Sequence, residues 1–347
     1  MRIIVDVMGG DNAPEELVKG VVEAAERYTA NFILVGDKNA IEAVAEKEGY
    51  DLSRFEIVHT EQVITMEDDP ISVVRAKSDS SMSVGLHLLA DGQGDAFVST
   101  GNTGALFTGA TLIVRKIKGI QRAAIASVLP LTSPVLLLDS GANLTVTPDH
   151  LQQFAMMGSI YMQNLFNLSS PRVGLLNNGS EDCKGTPLQV ETYKKLMADD
   201  TINFVGNVEG NKIPHEACDV LVTDGFTGNI VLKYTEGMGK MMIGTLKGLF
   251  KANAMSMVSA LLVKKGLGDI KVRFDASTYG GAPFLGISKP VIKAHGNSKA
   301  RAFRNAIRQA IEYVDTGVTY DIARAIEARK AAAAEKTAGE EAGEQNG

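Results

Sequence analysis

The chain contains no tryptophan and only two cysteines, Cys183 and Cys218, among 347 residues. Two thiols are too few for a disulfide framework, a four-cysteine zinc site or an iron–sulfur cluster. No stretch reaches the ~18 uninterrupted apolar residues that a membrane-spanning helix needs. The N-terminus meets Asp6 too early for the apolar core of a signal peptide. Positive charge is not in excess either. Lys+Arg is 35 against 41 Asp+Glu, a formal net charge of −6, which argues against a general affinity for nucleic acid. The expectation is a soluble, cytoplasmic protein.

Several catalytic signatures are also missing. The chain has no G-x-G-x-x-G after its first apolar run, no G-x-x-x-x-G-K-[ST], no G-x-S-x-G and no H-E-x-x-H. His87 has apolar neighbours on a helical pattern, so it reads as a packed or partly exposed side chain.

What is present is apolar residues, 45%, and glycine, 35 residues, well above the usual ~7%. Short runs at 3–7, 32–35, 55–59, 96–99, 124–129, 135–139, 173–176, 204–205, 220–223 and 272–274 read as strands. They alternate with helical patterns at 14–28, 39–48, 80–90, 103–115, 148–165, 187–197, 229–249 and 299–314. Pro14, Pro148 and Pro187 each sit where a first helical turn begins. Strands apolar on both faces and alternating with helices predict an α/β fold, a three-layer αβα arrangement around a mostly parallel Rossmann-like sheet. The expected organisation is one α/β domain over 1–327 and a solvated tail over 328–347.

The chain also repeats itself. Asp95 to Gly104 (DAFVSTGNTG) aligns without gaps with Asp219 to Gly228 (DVLVTDGFTG). Both read as a buried strand, a glycine turn and a helix. Such a unit offers the unpaired N–H groups and positive dipole end of a helix N-terminus to an anion. Four turns of this kind are found, at Asp6–Pro14 around Gly9 and Gly10, at Ser99–Gly104, at Asn177–Ser180 and at Asp224–Asn229. In a parallel sheet all four open at the carboxyl ends of strands, where ligands of open α/β sheets bind.

Lys184 follows the third turn. It reads either as a phosphate-neutralising cation or as a loop lysine paired with Glu181 or Asp182. Cys183 reads as a bystander thiol and Cys218 as the edge of the core. The glycine-rich run from Tyr279 to Gly286 allows close backbone approach to a ligand or a partner strand. Beyond it, His295 is flanked by Lys289 and Lys293 and can donate to an anion or order its turn. From Lys247 to Arg273, six cations face only Asp269 amid apolar residues. This helical excursion suits an anionic membrane, an acidic partner or a second copy of the chain.

Five segments taken together resemble the bacterial phosphate acyltransferase family (PlsX type), in order from residue 1 to about 315. They are VDVMGGDNAP from Val5, STGNTGA from Ser99, GNVEG from Gly206, DVLVTDGFTGN from Asp219 and YGGAPFLG from Tyr279. The chain departs from the family at Lys184-Gly185-Thr186-Pro187 and at Leu144 to Pro148. The resemblance implies a fold like that of phosphotransacetylases and the isocitrate dehydrogenase group, and no nicotinamide, metal or other cofactor. It implies transfer of a fatty acyl group from acyl-acyl-carrier protein to inorganic phosphate, for phospholipid synthesis, by a homodimer that associates peripherally with membranes. A phosphotransacetylase-like reaction on acyl-CoA and a nicotinamide-dependent oxidoreductase are the alternatives.

The expected chemistry is held phosphate striking a thioester. Lys184, His295, Asn229 and Asp224 are the catalytic candidates. Asp6, Gly9, Gly10, Ser99, Gly101, Asn102, Thr103, Gly104, Asn178, Ser180, Gly225, Thr227, Gly228 and Lys289 are the substrate-binding candidates. Lys251, Leu261, Leu262, Val263, Lys264, Lys265 and Arg273 are expected to meet carrier protein or membrane.

Overall fold

The structure, a computed structural model, describes residues 1–263, 266, 268 and 280–344. The strand expected at 272–274 and the residues Lys264, Lys265 and Arg273 lie outside the described residues, and Leu261 and Leu262 are described by their backbone alone.

Eleven strands form one sheet. They are β1 (Arg2–Asp6), β2 (Asn31–Gly36), β3 (Glu56–His59), β4 (Ala96–Ser99), β5 (Ala124–Leu129), β6 (Val135–Leu138), β7 (Val173–Asn177), β8 (Phe204–Glu209), β9 (Val220–Val222), β10 (Ala282–Leu285) and β11 (Val291–Lys293). Their order is β3-β2-β1-β4-β11-β10-β5-β6-β9-β7-β8. Seven of the ten pairings are parallel; the three antiparallel ones, β11–β10, β10–β5 and β5–β6, lie together at the centre. The sheet therefore consists of two parallel halves that run in opposite directions.

The halves are related by an approximate two-fold axis perpendicular to the sheet. The order β2-β1-β4-β11-β10, reversed and inverted, becomes β8-β7-β9-β6-β5. The axis maps β4 onto β9, the two strands of the sequence repeat. Hydrogen bonds follow it: the Ala294 amide donates to the Ser99 carbonyl at 2.9 Å, and the Asp139 amide donates to the Thr223 carbonyl at 3.0 Å.

Helices α1 (Glu15–Ala25), α2 (Lys38–Glu48), α3 (Ser81–Ala90), α4 (Thr103–Gly109), α5 (Pro148–Phe166), α6 (Pro187–Met197), α7 (Gly225–Lys251), α8 (Ala254–Leu262), α9 (Ala300–Asp315) and α10 (Val318–Glu344) complete the described fold. Pro148 and Pro187 do open α5 and α6, where the absent N–H is not needed. Pro14 instead precedes the first residue of α1. The 103–115 pattern is α-helix only to Gly109 and continues as one π turn from Ala110 to Val114. Helix α10 runs through the tail segment as far as Glu344, and among its residues whose burial is described the last buried apolar one is Ile326.

The sheet interior is apolar on both faces. Ile3, Val5, Val98, Ile292, Leu136, Leu138, Val220 and Val222 are fully buried on one side, and Ile4, Phe97, Ile33 and Val291 on the other. Each such side chain stabilises the fold by roughly 1.5–3 kcal/mol relative to exposure. The Tyr279–Gly286 run, expected to approach a ligand or a partner strand, does the latter. It contains β10, which joins the two halves by pairing with both β11 and β5.

Candidate active site

The reversal of the sheet decides which sequence motifs meet. At the carboxyl edge of the first half, β1, β4 and β11 lie side by side. Their turns carry Asp6 to Gly10, Ser99 to Gly104, and Lys293 to His295. Asp6 is 1% exposed and turned inward. It accepts the Ser99 hydroxyl at 2.6 Å and the amides of Met8 and Gly9 at 3.1 and 3.2 Å. Ser99 in turn accepts the Gly101 amide at 3.0 Å. Burial pushes the Asp6 carboxyl up, while Ser99, Ser81 and the two amides pull it down. Asp6 and Ser99 therefore set the shape of the turns.

Gly9 and Gly10 are needed for that shape. A Cβ on Gly9 would lie 2.8 Å from both the Asp6 carboxylate and the Gly101 nitrogen, and Gly10 has φ +91° against the Gly296 carbonyl. Thr100 donates its hydroxyl to the Gly9 carbonyl. Asn102 caps α4 through the Ala105 amide at 3.1 Å, and its Nδ2 donates to the carbonyls of Thr65, Met66 and Asp68. The Thr103 and Gly104 amides head the helix, where no intrahelical acceptor exists.

Lys293 is the cation of this edge. It is 9% exposed, and its Nζ donates to the Thr100 carbonyl at 3.0 Å and to the Ala294 carbonyl. Burial pulls it down to about 8, with Asp6 and Asp11 opposing and Lys233 assisting. His295 is exposed on the next turn. Partial burial lowers its value, and Lys233, Lys293 and Lys240 add to that against Glu236. Lys289 is a correction. It sits at the amino end of β11, donating to the Gly94 carbonyl at 3.4 Å, so it is one strand length away from the turns it was expected to serve.

The second group lies at the carboxyl ends of β6, β9 and β7, on the opposite edge. Asp224 caps α7, accepting the Thr227 amide at 2.8 Å and the Thr227 hydroxyl at 2.7 Å. Gly225 donates its amide to Asn143 at 2.8 Å, and Gly228 packs on the Asp139 carbonyl. Asp139 is fully buried and accepts from the amides of Ile125, Gly141, Ala142 and Asn143 and from Asn143 Nδ2. Burial pushes its carboxyl up against those donors. Asn229 is exposed, with the Gly141 backbone beside it. One strand away are Asn178, Ser180 and Lys184, all exposed on one loop. The Asn177 Nδ2 holds this loop through the Lys184 carbonyl at 3.0 Å. Thr186, where the chain departs from its resemblance, donates its amide to Gln189 at 3.1 Å and so starts α6.

The four turns thus do not open on one edge. β4 and β9 are five strand positions apart, on the order of 24 Å at ~4.8 Å per strand, with their carboxyl ends reversed. The connection between the groups is α7. It starts beneath the Asp139 turn and packs Val231 and Leu232 on the cluster of Leu129, Leu137 and Leu221. It runs over β6 and β5 until Lys233 acts on Lys293 and His295. Lys233 Nζ also meets Glu236 at 3.0 Å.

Asp139, Lys233 and Lys293 escaped the assignment from sequence. Asp139 had a signal, a carboxylate ending an apolar run as Asp6 does. Lys293 had one too, a lysine closing the run Val291-Ile292. Lys233 had none in isolation. His87, by contrast, fits its bland reading: Nδ1 lies 2.9 Å from the Ser83 carbonyl of its own helix. Cys183 is exposed and Cys218 buried, with burial pushing the Cys218 thiol up to about 12. No helix among the described residues is long and apolar enough to cross a membrane.

Comparison with known proteins agrees with this architecture. A family model described as "Fatty acid synthesis protein" matches residues 1–321. A phosphate acyltransferase of Thermoanaerobacterium thermosaccharolyticum is 44% identical over 328 residues, covering 94% of this chain and 97% of that one. One from Clostridioides difficile is 42% identical over 324 residues, covering 93% and 95%. Among solved structures, a phosphotransacetylase from Streptococcus pyogenes superposes with a TM-score of 0.61 at 16% identity, covering 90% of this chain and 94% of that one. A branched-chain phosphotransacylase from Enterococcus faecalis gives 0.52 at 14% identity, covering 90% and 99%. The structural neighbours establish the fold, a mixed α/β architecture of the phosphotransacetylase type. The chain belongs to the phosphate acyltransferase family, and it is an acyltransferase.

Proposed function

We propose that the protein transfers a fatty acyl group from the thioester of an acyl carrier protein to inorganic phosphate, supplying acyl phosphate for phospholipid synthesis. The observation that carries this reading is the first edge. Two glycine turns and a helix start are held rigid by Asp6 and Ser99 around a buried cation. Such a site suits a small oxoanion, and the curated relatives are named for acyl transfer to phosphate.

The chemistry needs no protein nucleophile. An oxygen of hydrogen phosphate attacks the thioester carbonyl, the C–S bond breaks, and the phosphate proton passes to the leaving thiolate. What the protein supplies is orientation and stabilisation of the carbonyl oxygen as it becomes negative. We assign the phosphate to the turns of Gly9, Gly10 and Gly101–Gly104. His295 is assigned to proton handling. Asn229 and Lys184, expected as catalytic residues, lie with the second group on the opposite edge and take no part in this step. The test is incubation with an acyl-carrier thioester, with and without phosphate, reading released thiol. Phosphate-dependent release supports the reading. Release of equal rate without phosphate, or turnover of acyl-CoA only, removes it. Tight NADH binding would favour an oxidoreductase instead.

The reading includes a homodimer and contact with a membrane surface from a cytoplasmic location. Phe226, Ile230 and Tyr234 repeat every four residues on α7 and are 60, 53 and 68% exposed, a stripe that fits a second copy of the chain. Met255, Met257, Val258 and Val263 are exposed around α8, and Lys251 precedes them, a composition that suits anionic lipid.

A further inference from the structure

We propose that Lys293 is a positioning residue of the oxoanion site: its ammonium clamps the turn after β4 to the turn after β11 and brings positive charge between them. The inference rests on the phosphate reading of this edge and deepens it.

The geometry is specific. Nζ donates to Thr100, in the first turn, and to Ala294, at the start of the second. Both partners are neutral carbonyls. Asp6, the carboxylate that acts on it most, already accepts one hydroxyl and two amides. Among the described residues the charge of Lys293 is therefore not consumed by an ion pair, and one of its three N–H groups is left over. Burying a lysine without a paired acid is costly. A neutral donor would tie two carbonyls together at lower cost, so the retained charge points to an anionic ligand.

The groups that face Lys293 set when that charge is present. Asp6 on β1 and Asp11 beyond it favour the ammonium; Lys233 on α7 opposes it; burial opposes it most. His295, two residues on, is itself held low by burial and by Lys233, with Lys240 adding and Glu236 subtracting. The balance leaves Lys293 at about 8. Inorganic phosphate is essentially all dianion above that pH, so a loss of phosphate binding there belongs to the protein.

The experiment compares wild type, Lys293→Met and Lys293→Arg. Thiol release gives KM for phosphate and for the acyl thioester, each across the pH range around 8. Phosphate protection against thermal unfolding gives binding without turnover. For Lys293→Met the phosphate KM should rise at least about tenfold, the scale of a hydrogen bond to a charged group, with the thioester KM nearly unchanged. Wild-type phosphate KM should climb as pH passes about 8. Lys293→Arg should keep binding phosphate and lose that climb, because a guanidinium stays charged. Equal rises in both KM values for Lys293→Met would reduce Lys293 to a structural tie and overturn the proposal. An unchanged phosphate KM would overturn it too. If wild type releases no thiol with phosphate, the acyl-transfer reading fails by itself. Thermal protection then decides: loss in Lys293→Met and retention in Lys293→Arg support the clamp, and retention in both refutes it.

Discussion

Gly228→Ala is the sharpest perturbation of the link between the two edges. A Cβ at this position would come 3.0 Å from the Asp139 carbonyl carbon, closer still to its oxygen, and 3.1 Å from Thr223 Cγ2. The obstacle is backbone, and it cannot swing aside. Asp139 is itself fixed by five N–H donors. Relief must come from α7, whose first turn is pinned by the Gly225–Asn143 hydrogen bond of 2.8 Å and by the Asp224 cap. Overpacking of this kind costs about 1–3 kcal/mol, and the rigid neighbour places Gly228→Ala at the upper end. Gly237→Ala is the control. It lies on the same helix with nothing within 4 Å of its added methyl, so the gain in helix propensity should stabilise by up to ~1 kcal/mol. Urea unfolding of the three proteins, read as midpoint shifts at unchanged slope, separates the two signs. Thiol release by Gly228→Ala should also fall, because displaced α7 carries Lys233 away from the first edge. A Gly228→Ala protein within about 0.5 kcal/mol of wild type would mean that α7 is not seated on the Asp139 turn, and the proposed link would fail.

Three further outcomes are expected. Lys293 is depressed in the fold, so between about 8 and 10.5 the unfolded chain holds a proton that the folded one has lost. Its contribution to stability therefore rises with pH across that window, by at most ~3 kcal/mol, and the slope should vanish in Lys293→Met when urea unfolding is repeated at each pH. His295→Ala should slow thiol release from the purified protein by at least about tenfold, while Lys184→Ala, on the opposite edge, should leave it nearly unchanged; full activity in His295→Ala would remove it from the mechanism. Met255→Glu with Val258→Glu should reduce co-sedimentation with anionic vesicles and leave thiol release from a soluble donor unchanged, and undiminished pelleting would detach α8 from lipid.

Much of the fold was legible because burial leaves a local trace. The uniformly apolar runs of β1, β4, β5 and β9 and the prolines that open α5 and α6 announce themselves residue by residue. β10 and β11 did not. They are four and three residues long, carry Pro283 and Lys293, and are strands only because both neighbours are already in place. The sites were half legible for a similar reason. A glycine turn after a strand can be read locally, and each of the expected turns exists. Which turns share an edge is fixed by strand direction, and nothing within the Asp219–Gly228 segment says that β9 runs against β4. Lys289 and Lys293 differ by four residues and by the whole length of β11, a distinction only the pairing with β4 makes.

The sequence repeat explains why a single long helix matters. Two turns of one kind, related by a two-fold axis perpendicular to the sheet, are carried to opposite edges, and backbone amides alone cannot bring them to one ligand. The halves have also diverged where the axis superposes them. Asp139 stands where the first half has Ala294, and its donors are all internal. The second turn is thereby closed around its own carboxylate, while the first is built around a cation with charge to spare. One edge is arranged to receive an anion, and the other to anchor a helix. α7 spans roughly 40 Å at 1.5 Å per residue, more than twice the length of the strands beneath it, so a residue two turns from its anchored end can reach the first edge and the rest extends beyond the sheet. Lys233 meets that condition, and the exposed methionines at 241 and 242 belong to the overhang. Active-site assembly and the apolar overhang are therefore consequences of one length. Shortening α7 by whole turns beyond residue 240 should remove the second while sparing the first.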